Sequence, residues 1–116
     1  MDMSSLANEM NLASALERLC GDEALLLELL QTLVEEFKNG QNDLVAHVDL
    51  QEFNAVASRA HYFKGIAANL DLISFCNAAK ALEQFAKSAD PVLCKEAIDH
   101  LIDCNQRLDS ALAKFS

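Results

Sequence analysis

The sequence is poor in the residues that break helices or build turns. Its 116 residues include three glycines, one proline and no tryptophan. Val, Ile and Thr, which strands prefer, supply 10 positions, whereas Leu and Ala supply 37. Sandwiches and barrels need many turns and branched residues, and nucleotide-binding loops need glycines, so all three are disfavoured. The composition predicts an all-α fold.

Positive charge and long apolar runs are lacking as well. Nine basic residues face 18 acidic ones, which gives a net charge of −9. Neither a nucleic acid nor an anionic membrane surface is a natural partner for such a chain. The N-terminus resembles no signal peptide, and no run of about 18 or more apolar residues could span a bilayer. We therefore expect a cytoplasmic protein with no membrane insertion.

The four cysteines carry no metal-binding or redox motif. Cys20, Cys76, Cys94 and Cys104 form no C-x-x-C pair of the kind that marks a zinc site or a thioredoxin-like motif. We interpret all four as reduced packing residues and expect no metal. A Cys/His redox or metal module is the weakest of the functional alternatives.

What the sequence has in abundance is helical periodicity. Residues 11–19 predict a short amphipathic helix, and Leu residues at helical spacing predict a long helix from Asp22 to Val48, weakened at Asn39 and Gly40. Three further patterns occupy residues 49–70, 72–88 and 90–116. Short connections between long helices favour an antiparallel four-helix bundle with a short N-terminal extra helix. We expect one domain over residues 1–116, with a lid at 1–20 and the bundle at 22–116.

Capping signals and a heptad seam refine this prediction. Asp49 and Glu52 have capping-box spacing, and Asp90 precedes Pro91 as an N-cap precedes a first-turn proline. In the second long helix the residues spaced three and four apart are apolar and define the side that the bundle buries. They are Phe53, Val56, Ala60, Phe63, Ala67 and Leu70.

His61 should face solvent, because it lies roughly 130° around the helix from the centre of this seam. The residues on its face are small except for one lysine; they are Asn54, Ala57, Ser58, Lys64, Gly65 and Ala68. Gly65 in mid-helix costs about 1 kcal/mol relative to Ala. A large partner that approaches His61 closely would explain the glycine, and close packing against another helix is the alternative.

Charge around His61 favours a phosphoryl group. Between Phe53 and Leu82 the only acidic residue is Asp71, while three residues, Arg59, Lys64 and Lys80, are basic. This local charge of +2 suits a group that carries about −2. Imidazole is a competent phosphoryl acceptor near neutral pH. A solvent-facing histidine taken alone is more often without function, and for His47 and His100 we keep that interpretation.

The segment AHYFKGIAANL (residues 60–70), together with Leu82 and Glu83, resembles the signature of histidine-containing phosphotransfer (HPt) domains. The stretch LCGDEALLL (residues 19–27) is similar to that family too. The resemblance implies a phosphocarrier without kinase activity of its own. It implies that His61 accepts the phosphoryl group, that Lys64 supports its charge and that Gly65 permits docking.

Two residues depart from the family pattern. Ile66 stands where serine is frequent, which leaves one polar group fewer beside His61. Asp71 stands where glycine often closes the helix, so that it either caps the next helix or adopts a left-handed turn.

The expected partners are receiver domains and a hybrid sensor histidine kinase. The docking surface would consist of Asn54, Ala57, Ser58, Gly65 and Ala68. We expect no cofactor in this chain, because Mg²⁺ and the attacking carboxylate would come from the receiver. The competing hypothesis is an adaptor bundle that binds another protein and never carries phosphate.

Overall fold

A computed structural model describes residues 4–114, and all the regular structure in this part of the chain is helical. A 3-10 helix at Ser4–Asn8 precedes five α-helices: α1 (Leu12–Arg18), α2 (Glu23–Asp49), α3 (Phe53–Asn69), α4 (Ile73–Lys87) and α5 (Pro91–Ala113). Helices α2 to α5 form the bundle, and α1 is the predicted short extra helix. The predicted fold class is confirmed. Phe115, predicted to lie in the last helix, is outside the described residues.

The four long helices close on one another in a ring. α2 packs on α3, α3 on α4, α4 on α5 and α5 on α2, and the α3–α4 pair has the most extensive contact. Each connection in the bundle is three residues long and contains one residue with a left-handed backbone, at Gln51 (φ 58°), Asp71 (φ 55°) and Ala89 (φ 52°). Asp71 thus takes the second of its two expected roles.

The predicted seam of α3 forms part of the core. Val56, Ala60, Phe63 and Ala67 are fully buried. Phe63 meets Phe37 of α2 edge to face, with ring centroids 5.3 Å apart. Burial of this stripe fixes the rotation of α3 about its axis and therefore decides which residues face outward.

Two helix starts follow the capping predictions. The Asp22 carboxylate accepts a hydrogen bond from Leu25 N at 3.0 Å, and Asp90 accepts one from Leu93 N at 3.1 Å. Each satisfies one of the free N–H groups that a helix start exposes. Pro91 occupies the first turn of α5, where its missing N–H removes no helical hydrogen bond.

The predicted capping box at the start of α3 is wrong. Asp49 is the last residue of α2, and its carboxylate pairs with Lys95 of α5. The N-cap position belongs to Glu52, which makes no side-chain capping bond. Its Oε1 lies 3.0 Å from His47 Nδ1 instead. Both carboxylates therefore contact side chains of the long helices and leave the start of α3 without a side-chain cap.

At the predicted weak point in α2 the helix continues without a break through Asn39 and Gly40. Phe37 and Leu44 are buried on either side of the glycine. Their burial is worth roughly 1.5–3 kcal/mol each, which outweighs the helix penalty of one glycine.

The cysteine prediction holds for part of the set. All four thiols are free, and Cys94 and Cys104 are buried in the core. Cys20 is exposed in the turn after α1, where it packs against nothing of the core, so the packing interpretation was wrong for it. Among residues 4–114 no helix is long and apolar enough to cross a membrane.

The short helix α1 is fastened to the end of α3. Arg18 Nη1 donates to the carbonyl oxygens of Ala68 and Asn69 at 3.3 and 3.2 Å, and Nη2 pairs with Asp71 at 3.4 Å. Carbonyls at a helix C-terminus have no partner within the helix, so a basic side chain there stabilises the end.

Candidate functional site

His61 stands near the middle of α3, with 68% of its side chain exposed, as predicted. Its ring borders a shallow cleft of about 330 Å³ between α3 and α4. The floor contains Ala57 and Ser58, and the α4 side is formed by Glu83 and Lys87. A group bound to the ring would have room on this side.

Glu83 of α4 is the residue that holds the imidazole. Only 10% of its side chain is exposed, and its Oε2 lies 3.0 Å from His61 Nδ1. Lys64 Nζ donates to Oε1 at 2.7 Å, and Lys87 Nζ lies 3.5 Å from Oε2. The hydrogen bond from Lys64 is the main cause that lowers the pKa of Glu83 to about 2, with a smaller contribution from His61. Burial opposes this shift but does not overcome it.

The ionised state of Glu83 fixes the tautomer of His61. A carboxylate without a proton can only accept hydrogen bonds, so Nδ1 of the imidazole carries the proton in this contact. In a neutral ring the lone pair is then on Nε2. Since Glu83 engages the Nδ1 edge of an otherwise exposed ring, Nε2 is presented as a nucleophile towards solvent.

The side chains on the surface around His61 are short, as the sequence indicates. Asn54, Ser58, Gly65 and Ala68 are exposed, and Ala57 is half-buried. A Cβ atom built on Gly65 would meet no atom of another helix within 4 Å. The alternative of a glycine packed against another helix is therefore wrong.

Lys64 does not stand free on this surface. Its side chain is 29% exposed and reaches inward to Glu83. The structure thus brings together two residues that sequence reasoning singled out, His61 and Lys64, through a third that it did not assign to the site. It places the five predicted docking residues on α3, the helix that carries His61.

Sequence reasoning missed Glu83 and Lys87 as site residues. Glu83 is the only acidic residue of α4, and it directly follows the buried Leu82. A carboxylate next to the core needs a charged partner. Lys87 stands four residues further on, at ion-pair spacing. These signals are readable in the sequence, but the pairing with His61 joins positions 22 residues apart.

An apolar groove of about 350 Å³ lies between α2 and α3 on another side of the site. Ile66 lines it together with Leu29, Leu33 and Leu70. The departure from serine at position 66 therefore adds apolar surface here. Beside the groove, Tyr62 donates a hydrogen bond to Glu36 at 2.7 Å, and this bond is the main cause that raises the pKa of the tyrosine.

The low pKa of Glu83 predicts a pH-dependent stability. A carboxyl group whose pKa falls from 4.5 to about 2 on folding stabilises the native state above about pH 4.5. This contribution is lost as the pH falls through 2. We therefore expect Glu83→Gln to lower the denaturant midpoint at pH 6 and to lower it less at pH 3. Glu96→Gln, at an exposed position of α5, serves as the control. If the difference in denaturant midpoint between Glu83→Gln and the parent were the same at both pH values, the low pKa of Glu83 would be contradicted.

Comparison with known proteins supplies one match. The family model of the Hpt domain matches residues 28–111 of the chain. The comparisons with curated proteins and with solved structures each gave no match. The matched range includes His61 and Glu83.

Within residues 4–114, no three His, Cys, Asp or Glu side chains are grouped so that they could hold a metal ion.

Proposed function

The chain belongs to the Hpt domain family, and on this premise we propose that it carries a phosphoryl group between two receiver domains on His61. Membership implies histidine phosphotransfer in two-component signalling, in which Hpt domains act as carriers rather than enzymes. The contact between His61 Nδ1 and Glu83 is the observation that supports this role for His61 most directly, because it directs the lone pair of an exposed ring to Nε2. The proposal includes a cytoplasmic location and a hybrid sensor histidine kinase upstream.

The transfer step follows from this tautomer. Nε2 attacks the phosphorus of an aspartyl phosphate on the receiver, and the N–P bond forms as the P–O bond to the aspartate breaks. The aspartate carboxylate leaves with the electron pair, and Nδ1 keeps its proton towards Glu83. The ring then carries a positive charge beside the Glu83 carboxylate, which stabilises it. The step needs no base from this chain, and the receiver would supply Mg²⁺.

Lys64 supports the phosphoryl group through charge. An uncompensated carboxylate 3.0 Å from the imidazole would repel a group that carries about −2. The Lys64 ammonium at 2.7 Å from Glu83 offsets that repulsion. The same contact holds Glu83 in position against the ring.

We expect Lys64→Ala to leave His61 able to accept phosphate but to slow transfer by about tenfold or more, since a charge-assisted hydrogen bond contributes about 1.5–3 kcal/mol. Rapid-quench kinetics with a labelled receiver would measure both directions. Lys38→Ala on α2, an exposed lysine with no ion pair recorded among residues 4–114, is the matched control. Equal rates in the two variants would remove Lys64 from the mechanism.

The proposed function is tested by incubation with a receiver that carries radioactive aspartyl phosphate. We expect label to appear on this chain in an acid-labile, base-stable form, with the phosphate on His61 by peptide mapping. A second, unphosphorylated receiver should then remove it. The adaptor hypothesis predicts binding of a partner without any transfer of label, and that result would overturn the proposal.

A further inference from the structure

The cleft beside His61 contains one cation more than its carboxylate requires. Glu83 carries a single negative charge, yet two ammonium groups contact it. Lys64 is the close partner, at 2.7 Å and 29% exposed. Lys87 is the distant one, at 3.5 Å and 67% exposed. At 3.5 Å from the carboxylate the Lys87 ammonium is beyond the usual hydrogen-bond distance of about 2.7–3.2 Å, so Lys87 is free to take another partner.

We propose that Lys87 of α4 is the cation that contacts the oxygens of the phosphoryl group on His61, while Lys64 stays paired with Glu83. This inference rests on the proposed function and divides the work between the two lysines. Lys87 lines the cleft next to the ring, and small residues at positions 57 and 58 leave the cleft open opposite it.

Geometry favours Lys87 for this contact. Its Nζ and His61 Nδ1 lie 3.5 and 3.0 Å from the same oxygen, Oε2 of Glu83, and both residues line one cleft, so a rotation of the exposed Lys87 side chain can bring the ammonium to a group on Nε2. A phosphoryl group on the ring brings a charge of about −2, of which the positive charge of the ring offsets only a part. Lys87 would exchange a carboxylate that Lys64 already neutralises for this stronger anion.

Burial keeps Lys64 where it is. The Glu83 side chain is nine-tenths buried, and removal of its close partner would leave a buried charge uncompensated. A shift of Lys64 towards the phosphoryl group would therefore work against the fold. Lys87 is largely in solvent, and its movement leaves the contacts of Lys64 and His61 with Glu83 intact.

The test loads His61 chemically, without any receiver. The reagent is phosphoramidate, whose P–N bond breaks and releases ammonia as the new N–P bond to the imidazole forms. A ³¹P NMR titration of the loaded protein then gives the second pKa of the phosphoryl group. A cation in contact with the oxygens lowers this pKa, so we expect Lys87→Met to raise it by about 0.3–0.7 units.

Lys80→Met is the matched control. Lys80 lies on the same face of α4, two helical turns before Lys87, and no ion pair is recorded for it among the residues described. We expect its titration to equal that of the parent. An unchanged midpoint in Lys87→Met, or an equal shift in both variants, would overturn the contact. Because the loading bypasses the receiver, either result leaves the receiver-transfer test of the proposed function standing on its own.

Discussion

His61→Gln should abolish phosphoryl acceptance and leave the stability of the bundle nearly unchanged. Glutamine has no ring nitrogen with a lone pair, so no N–P bond can form. The histidine side chain is 68% exposed, and Glu83 keeps its contacts with Lys64 and Lys87 when the imidazole is removed. An exposed substitution of this kind shifts the free energy of unfolding by about 0.5 kcal/mol.

The measurement pairs label transfer from a phosphorylated receiver with denaturant unfolding of the same protein. His100→Gln is the matched control, since it makes the same change at an exposed position of α5. It should accept label as the parent does. Label retained by the His61→Gln protein would refute the assignment of the acceptor. A large fall in its unfolding midpoint would contradict the exposed position of the ring.

Gly65→Leu is expected to separate folding from transfer. The space around Gly65 is open, so the leucine side chain would project from α3 one turn beyond His61 without a clash inside the bundle. Reacting atoms must approach within about 3–3.5 Å, and a displacement of about 1 Å can cost a hundredfold in rate. We therefore expect transfer from the receiver to fall by about a hundredfold or more while the protein still folds.

Two comparisons make this test specific to docking. Gly65→Ala should stabilise the free protein by up to about 1 kcal/mol, through helix propensity and a less flexible unfolded chain. Phosphoramidate is small enough to pass the leucine, so Gly65→Leu should still be loaded by it at the parent rate. A Gly65→Leu protein that folds and accepts phosphate from the receiver at the parent rate would show that no partner approaches this surface.

The sequence by itself determined the helices and the direction in which His61 points. A repeat of 3.6 residues is a local property, so the spacing of Val56, Ala60 and Phe63 marks the buried side of α3 wherever the other helices lie. The exposure of His61 follows from that repeat. The caps at Asp22 and Asp90 are equally local, since each side chain bonds a backbone N–H three residues ahead.

The start of α3 shows a local signal that the fold does not use. Asp49 and Glu52 have the spacing of a capping box for α3, with Asp49 at the N-cap. In the structure Asp49 ends α2 and pairs with Lys95 of α5, while Glu52 takes the N-cap position and its carboxylate contacts His47 of α2. Such contacts depend on how α2 and α5 are placed, which the spacing of residues within one segment does not encode.

Only the tertiary structure decided the chemistry around the imidazole. The Glu83 carboxylate reaches His61 because α4 packs along α3 after a three-residue turn in which Asp71 takes a left-handed conformation. That packing sets the rotation of α4 against α3 and brings the two side chains to 3.0 Å across 22 residues of sequence. The tautomer of His61 follows from this contact, and Lys64 joins the same carboxylate through its own bond at 2.7 Å, because ionisation and hydrogen bonding depend on distance in space rather than along the chain.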